Sequence, residues 1–353
     1  MRTILVRRDH DNGQHCQVVL KQVDAKVLVL DTDPDNLQSL KVRSKVSDIS
    51  DYRQAGVPHR LTFRRAPSGE LSMKIEISHA ITDGASLMVL LRDLRLQYDG
   101  RMQNVSPAAS FSQHTAQLQG RLEQDSAYWE KYCGGALPCY LPQIPRADDL
   151  GTNVDFVVRY VNIDLKHAGM LSAFCQRQSI SVSNLFCAIW SLVLKHHTSS
   201  NPEDIIFGYL VSGREAAEET AGPLFSALIS RIQLSGDTTV KRLLETVRDD
   251  FAESSAHQVC DMQHIEHGLG IDMPLFNTMV NFRKFPAPDV EEEPSLRFDV
   301  VEGVDPFDYD MMLLVKETKD SWKINLAYWS AKVDSSLAQT IAKDFDLILS
   351  SAL

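Results

Sequence analysis

The stretch from residue 71 to residue 98 constrains the fold most strongly, because two different periodicities meet within it. Between Leu71 and Ile77, apolar residues alternate with polar ones, which is typical of a half-buried strand. From Leu87 onward, apolar residues recur at the spacing of one helix face, which predicts a helix over residues 85–98. The stretch therefore predicts a strand that leads directly into a helix, with residues 78–86 between them.

This strand-to-helix connection carries two residues with chemical potential, His79 and Asp83. If the alternation continues past Ile77, the His79 imidazole points inward, where it must be hydrogen-bonded or used. Thr82 or Asp83 is expected to cap the helix, and Gly84 allows a close approach by another group. From the spacing alone, a structural core histidine and a functional histidine are equally good interpretations.

The alternation of strand and helix patterns continues along the 353 residues and predicts an α/β or α+β fold with two lobes. Glycines and prolines at 134–145 exclude regular structure there. We therefore predict an N-terminal lobe at 1–145 and a C-terminal lobe at 146–353. Strands are predicted at 3–6, 16–20, 26–31, 61–64, 71–77, 156–163, 205–211, 278–285, 296–301, 311–318 and 322–329. Helices are predicted at 36–46, 85–98, 110–132, 165–178, 183–196, 238–257 and 335–349.

Composition removes several classes of function. A formal net charge of -11 argues against nucleic-acid binding, which needs clustered Lys and Arg. No apolar run approaches the roughly 20 residues that span a bilayer, and the N-terminus lacks a signal-peptide pattern. We expect a cytoplasmic monomer that binds neither nucleic acid nor membrane.

The cysteines and histidines do not predict a metal site. Six cysteines are scattered without a C-x-x-C pair, so we expect free thiols, with Cys175 and Cys187 on apolar helix faces. The His196-His197 pair suits a helix C-terminus, where positive charge is favourable. His257, His264 and His267 are loosely grouped without ligand spacing.

Several motifs resemble one known family. The run S-H-A-I-T-D-G at 78–84 resembles the H-H-x-x-x-D-G motif of the condensation domains of nonribosomal peptide synthetases, with Ser78 in place of the first histidine. With Ser86 it also forms S-H-x-x-x-D-x-x-S, which is similar to the pattern of fungal terminal condensation-like domains. Further elements that resemble the family follow in its order at residues 1–3, 129–142, 211–214, 222–231 and 276–282.

The resemblance implies a chloramphenicol-acetyltransferase-like fold, in which two lobes form a V with a tunnel between them. In the family one strand and one helix precede the strand that begins here at Met1, so we expect the N-terminal lobe to lack both. Ser226 and Ile229 stand where the family usually has Asn and Pro.

The implied activity is acyl transfer from a peptidyl thioester on a carrier (thiolation) domain to an amine or hydroxyl, here with intramolecular cyclisation and release. No cofactor would be bound permanently, because the carrier's phosphopantetheine arm delivers the substrate. His79 would act as base or as positioner of the nucleophile, and Gly84 would keep the tunnel open. Asp83 would be structural, paired with Arg2 or Arg231.

Gly222, Ser226 and Asn281 are further tunnel candidates by the same resemblance. Two other functions stay open. One is a free-standing acyltransferase that uses coenzyme A, although the plant-type D-F-G-W-G signature of that branch is absent. The other is a degenerate condensation fold that only binds a carrier protein.

Overall fold

The computed structural model describes residues 3–7, 15–23, 27–30, 58–65, 68–104, 108–142, 157–198, 203–214, 219–284, 295–300, 309–318 and 322–353. The chain divides into two compact units. Unit 1 comprises Met1–Phe111, Glu218–Leu224 and Glu291–Pro306, and unit 2 comprises Ser112–Ala217, Phe225–Val290 and Phe307–Leu353. The first segment of unit 1 thus ends at residue 111, whereas the sequence predicts a boundary at 145/146, and two later segments also belong to unit 1. Residues from 112 to 142 belong to unit 2 because Trp129, Cys133 and Leu141 are buried in its core.

In its described residues, unit 1 contains two small sheets and a long helix. Its elements are β1 (Thr3–Arg7), β2 (His15–Val19), β3 (Val27–Leu30), β4 (His59–Arg65), β5 (Leu71–Ile77) and α1 (Gly84–Tyr98). β1 and β2 form an antiparallel pair, and β4 lies between β3 and β5 in a second sheet. β4 and β5 form the predicted antiparallel hairpin, in which His59 pairs with Ile77 and Arg65 with Leu71.

The predicted contrast between the two faces of β5 is not seen. Leu71 is exposed at the hairpin end, and the other six residues of the strand are all half-buried. The strand also ends at Ile77, so its alternation does not extend to His79, which lies in a turn. Strand phase was therefore the wrong basis for predicting where the imidazole points.

Unit 2 has a six-stranded sheet covered by helices. Its helices are α2 (Phe111–Gln119), α3 (Leu122–Cys133), α4 (Ala168–Gln178), α5 (Val182–His197), α6 (Val240–Ser254), α7 (Met262–Gly268) and α8 (Ser335–Ala352). Its strands are β6 (Val158–Ile163), β7 (Asp204–Ser212), β8 (Phe225–Gln233), β9 (Thr278–Lys284), β10 (Met311–Glu317) and β11 (Trp322–Trp329). The strand order is β6-β11-β10-β9-β7-β8, parallel at β10-β9 and β9-β7 and antiparallel elsewhere.

Helix α5 shows how the sequence builds this core. The Ser181 side chain accepts from the Asn184 N–H at 3.1 Å and caps the helix, and apolar side chains then bury most of its surface. Phe186 and Trp190 are fully buried, as is Phe345 of α8, which packs on Phe186. Met311 lies in the same core, whereas Met312 packs in a small separate cluster with Met279 and Ala327. Cys175 and Cys187 are buried free thiols on α4 and α5, which confirms their assignment.

Most predicted elements are confirmed within a few residues, but two of them differ from the structure and some elements were missed. The single helix predicted at 110–132 is two helices, because Gly120 interrupts the pattern, and glycine costs about 1 kcal/mol in a helix interior. The strand predicted at 296–301 is irregular over 295–300. Strand β8 and helix α7 were not predicted, and the helix predicted at 36–46 lies outside the described residues.

None of the helices in the described part of the chain combines the length and the apolar character that crossing a membrane requires.

Candidate functional site

His79 lies in a tight turn that follows β5. The Ile81 N–H donates to the Ser78 carbonyl at 3.2 Å, which closes a turn with His79 at its second position. The Ser78 Oγ accepts from the Ala80 N–H at 3.3 Å, a local contact that serine commonly makes in turns. The Ser78 N–H donates to the Pro58 carbonyl at 2.9 Å, which anchors the turn. Ser78 thus shapes the backbone that presents the half-buried His79.

Asp83 caps the helix that follows this turn. Its backbone is extended (φ -121°, ψ 178°), and its Oδ1 accepts from the Ser86 N–H at 2.7 Å. This is the contact between the N-cap residue and the third helical residue. The geometry of helix capping therefore explains the D-x-x-S spacing. Gly84 is the first residue of α1, where backbone N–H groups have no partner within the helix.

Asp83 and Ser86 also hold a segment that is distant in the sequence. Asp83 Oδ2 accepts from the Leu224 N–H at 3.0 Å, and the Ser86 Oγ accepts from the Gly222 N–H at 2.9 Å. The Ser86 hydroxyl hydrogen has two acceptors within reach, Asp83 Oδ1 at 2.7 Å and the Gly222 carbonyl at 2.6 Å. Because Ser86 is fully buried, these contacts replace its hydration completely.

We call residues 219–224, which belong to unit 1 although they connect β7 to β8, the anchored segment. Two more contacts fix it. Glu219 forms an ion pair with Arg92 of α1, and the buried Thr220 Oγ1 donates to the Ala109 carbonyl at 2.8 Å. Every one of these partners belongs to unit 1, so the segment is an integral part of that unit.

Gly222 is required by the packing of the anchored segment. A Cβ at this position would lie 2.7 Å from Phe111 Cγ and 2.9 Å from Phe111 Cε2, closer than real contacts of a Cβ. We expect Gly222→Ala to lower the free energy of unfolding by about 1–3 kcal/mol, because the ring or the segment must move. Urea denaturation measures this. Gly236→Ala is the matched control, because nothing lies within 4 Å of that Cβ position. Equal losses in the two variants would contradict the packing argument.

The prediction that Arg231 pairs with Asp83 is wrong. The Arg231 guanidinium binds Asp204, with Nε at 3.0 Å and Nη2 at 2.8 Å from carboxylate oxygens. Its Nη1 donates to the carbonyls of Tyr132 and Gly134 at 2.8 and 3.0 Å. The reason lies in the β7–β8 register, where Arg231 faces Ile206 and Asp204 is its diagonal neighbour. Arg2 lies outside the described residues.

The remaining tunnel candidates lie in unit 2, whereas Gly222 lies in unit 1. Ser226 is half-buried at the start of β8 and lines a pocket. Asn281 is buried in β9; with its amide oxygen toward Arg283, it accepts from Nη2 at 2.8 Å and from Nε at 3.2 Å. The structure thus gathers Ser78, His79, Asp83, Gly84, Ser86 and Gly222 in one unit and Ser226, Arg231 and Asn281 in the other.

Asp250, in unit 2, has a half-buried carboxyl group with a raised pKa. Asp250 Oδ2 accepts from the Tyr132 hydroxyl at 2.9 Å, and that hydroxyl accepts from the Arg231 N–H at 2.8 Å. Burial raises the pKa of Asp250 from 3.8 to about 6. The cause is desolvation of the charged form, which the tyrosine hydrogen bond opposes only in part.

This pKa predicts a pH-dependent stability. Because the folded chain binds the Asp250 proton more tightly than the unfolded chain, the free energy of unfolding should fall as pH rises from about 4 to about 6. Asp250→Asn should remove that slope and raise the free energy of unfolding at pH 7 by about 1–3 kcal/mol. Denaturant titrations at several pH values measure it, with the exposed neighbour Asp249→Asn as control. If the free energy of unfolding of Asp250→Asn still falls between pH 4 and 6, the pH dependence does not come from Asp250.

Four other histidines, His196, His197, His257 and His264, lie next to carboxylates. Among described residues, His196, His197 and Asp344 could offer three ligand atoms within 4.8 Å of one another. His197 Nε2 lies 2.8 Å from Asp344 Oδ2, which suits an ion pair at the end of α5. His257 Nδ1 contacts the buried Asp125 at 3.0 Å, and His264 contacts Glu130 at 2.8 Å.

No pattern in the sequence points directly to the anchored segment. Its contacts join residues that are 111 to 141 positions apart, and only the G-P resemblance at 222–223 singled out that region. The role of Ser86 as a bridge was missed for the same reason.

Comparison with known proteins gives one family. The sequence profile described as "Condensation domain" matches residues 1–353. Nonribosomal peptide synthetase 4 of Gibberella zeae is 32% identical over 362 residues, covering 99% of this chain and 4% of the synthetase. Nonribosomal peptide synthetase 1 of Aspergillus fumigatus is 31% identical over 351 residues (97% and 5%), and FR901469 synthetase of a Dothideomycetidae species is 32% identical over 341 residues (93% and 2%). The chain therefore spans at most about a twentieth of the length of these relatives.

Solved structures share the fold. The crystal structure titled holo T3CT has a TM-score of 0.70 at 19% identity, covering 99% of this chain and 79% of that one. The X-domain from teicoplanin biosynthesis has a TM-score of 0.73 at 16% identity, covering 99% and 83%. The mixed α/β fold predicted from the motifs is thereby confirmed as that of the condensation and X-domains.

Proposed function

The chain belongs to the condensation-domain family, and on this basis we propose that it transfers a peptidyl group from a carrier-bound thioester to an amine or hydroxyl. The observation that carries the proposal is the turn at residues 78–81, which presents His79 directly before a capped helix. The substrate arrives on the phosphopantetheine arm of a carrier domain, so no resident cofactor is needed. The free thiols of unit 2 fit a reducing cytoplasm.

The proposed chemistry is a substitution at the thioester carbonyl. The amine or hydroxyl attacks the carbonyl carbon, the carbon–sulfur bond breaks, and the sulfur leaves with the bonding electrons. The nucleophile must lose a proton, and His79 either accepts it or holds the nucleophile in place; the proton finally reaches the thiolate. Backbone N–H groups at the start of α1, including that of Gly84, are suited to stabilise the developing oxyanion.

Asp83 has a structural role in this proposal. Its two oxygens face Ser86 and Leu224, so the carboxylate joins the start of α1 to the anchored segment. Ser78 is assigned to shaping the turn, because its Oγ accepts from the Ala80 N–H.

We further propose that the transfer is intramolecular and releases a cyclic peptide. The support is the S-H-x-x-x-D-x-x-S pattern at 78–86, which resembles fungal terminal domains, together with relatives that are fungal synthetases. Ser86 gives part of this pattern a physical role in the site, as the bridge between Asp83 and Gly222.

One comparison of donors tests the proposal. The same peptidyl thioester is offered on a carrier domain, on N-acetylcysteamine and on coenzyme A, and products are followed by mass spectrometry. We expect a cyclic product with the carrier and slower turnover with N-acetylcysteamine. Turnover that is fastest with coenzyme A would favour a free-standing acyltransferase. Carrier binding without turnover of any donor would favour a non-catalytic fold.

A further inference from the structure

Two histidines at the end of α5 and one carboxylate of α8 form a cluster that the proposed acyl transfer does not use. His197 Nε2 lies 2.8 Å from Asp344 Oδ2, and His196 Nε2 lies 4.0 Å from the same oxygen. Each residue can offer one ligand atom to a metal ion, and the three atoms lie within 4.8 Å of one another. All three residues belong to unit 2. Because 147 positions separate His197 from Asp344, no spacing in the sequence could indicate the cluster.

The two helices that carry the cluster are held in place by the core of unit 2. Asp344 directly precedes Phe345, which is fully buried and packs on Phe186 of α5 with ring centroids 5.8 Å apart. On α5, the buried Leu194 lies two residues before His196. Apolar packing therefore fixes the backbone beneath the ligands, and binding a metal ion there costs little ordering of the chain.

The distances within the cluster are close to those around a tetrahedral metal ion. Bonds of about 2.0–2.1 Å to imidazole nitrogen and carboxylate oxygen place neighbouring ligand atoms about 3.4 Å apart. The two nitrogen-to-oxygen distances, 2.8 and 4.0 Å, lie on either side of that value. The His197 side chain is only 11% exposed, whereas that of His196 is 66% exposed and can rotate toward an ion. Water can occupy the fourth position on this exposed side.

The types of ligand and their charges favour Zn²⁺. Imidazole nitrogen suits zinc and other transition metals, whereas Mg²⁺ and Ca²⁺ prefer oxygen ligands. Asp344 supplies a negative charge, and both histidines lie in the last turn of α5, where the helix dipole also favours a cation.

We propose that His196, His197 and Asp344 bind one zinc ion, which links the end of α5 to α8 and stabilises unit 2. The ion takes the place of the direct contact between His197 and Asp344 and joins both side chains to His196. This inference concerns the stability of unit 2 alone and does not depend on the proposed acyl transfer.

Titration with Zn²⁺ alone tests the site. The full chain, without a polyhistidine tag, is freed of metal with a chelator, and zinc binding is measured by calorimetry. We expect one ion per chain and a Tm that rises with the zinc concentration. His196→Ala, His197→Gln and Asp344→Asn should each weaken binding at least about tenfold, because loss of even an outer-shell partner costs about 10–100-fold. The amide of His197→Gln can still donate to Asp344, so this variant keeps the contact and removes the zinc ligand.

The matched control is His264→Ala. His264 also lies 2.8 Å from a carboxylate, that of Glu130, and this variant should bind zinc as the wild type does. Mg²⁺ at the same concentrations should neither bind nor raise the Tm. Absence of zinc binding to the folded wild type overturns the proposal and leaves the cluster as an ion pair. Zinc binding that is unchanged in the three variants overturns it too, because the ion then lies elsewhere. Weaker binding in the histidine variants alone overturns the link to α8.

Discussion

Replacing His79 with alanine is expected to slow acyl transfer by about 10²–10⁴-fold and to leave the fold intact. A positioned imidazole that accepts the proton of the nucleophile contributes a rate factor of this size. The side chain emerges from a turn that is closed by backbone and Ser78 contacts, none of which needs the imidazole. Because the turn itself is retained, we expect the free energy of unfolding to fall by no more than about 1–2 kcal/mol.

The control for this variant is His264→Ala. His264 is an exposed histidine that contacts Glu130, outside unit 1, so its loss should leave the rate unchanged. A His79→Ala variant that transfers at the wild-type rate removes His79 from the mechanism. A variant that is slow only because it has unfolded would make His79 structural.

Replacing Asp83 with alanine is expected to lower the free energy of unfolding by about 2–4 kcal/mol. Loss of an N-cap typically costs about 0.5–2 kcal/mol. The Leu224 N–H additionally loses its acceptor, and a buried unpaired donor costs about 1–3 kcal/mol. Hydrogen exchange should show the loss of protection in two places, at the start of α1 and in the anchored segment.

Asp334→Ala is the matched control for the cap alone. Asp334 caps α8 through the Ser336 N–H at 2.8 Å and also accepts from the Ser336 hydroxyl, as Asp83 does with Ser86. Among the described residues, no distant segment donates to Asp334. Asp334→Ala should therefore cost only the capping energy and leave exchange at 219–224 unchanged. Equal costs for the two variants would show that the Leu224 contact contributes nothing.

How much of this molecule the sequence predicts depends on how local each feature is. Strand β11 and helix α1 were predicted to within one residue, because periodicity and capping act over a few neighbouring residues. The cap between Asp83 and Ser86 is local in the same way. Leu296 and Phe298 suggested a strand; instead, the Leu296 carbonyl accepts from Arg95 at 3.1 Å, and Arg95 lies over the Phe298 ring.

The contacts that sequence reasoning missed are those set by topology. Arg231 pairs with Asp204 because β7 and β8 are neighbouring strands. Since β8 was not predicted as a strand, the pairing of Arg231 with Asp204 could not be predicted either. Gly222 resembled a motif residue, but the reason for glycine there is that a Cβ would clash with the ring of Phe111, more than 100 positions earlier. The resemblance singled out the motif residues, whereas the contacts that they make became visible only in the structure.

A single-turnover experiment on a carrier domain loaded with a peptidyl thioester tests most directly whether His79 is catalytic. Thioester consumption is followed by mass spectrometry for the wild type and His79→Ala, both verified as folded. The wild type should consume the thioester and release product, and His79→Ala should be slower by at least about 10²-fold. Equal rates for the two proteins, or no consumption by the folded wild type, would contradict the claim that this turn presents a catalytic histidine.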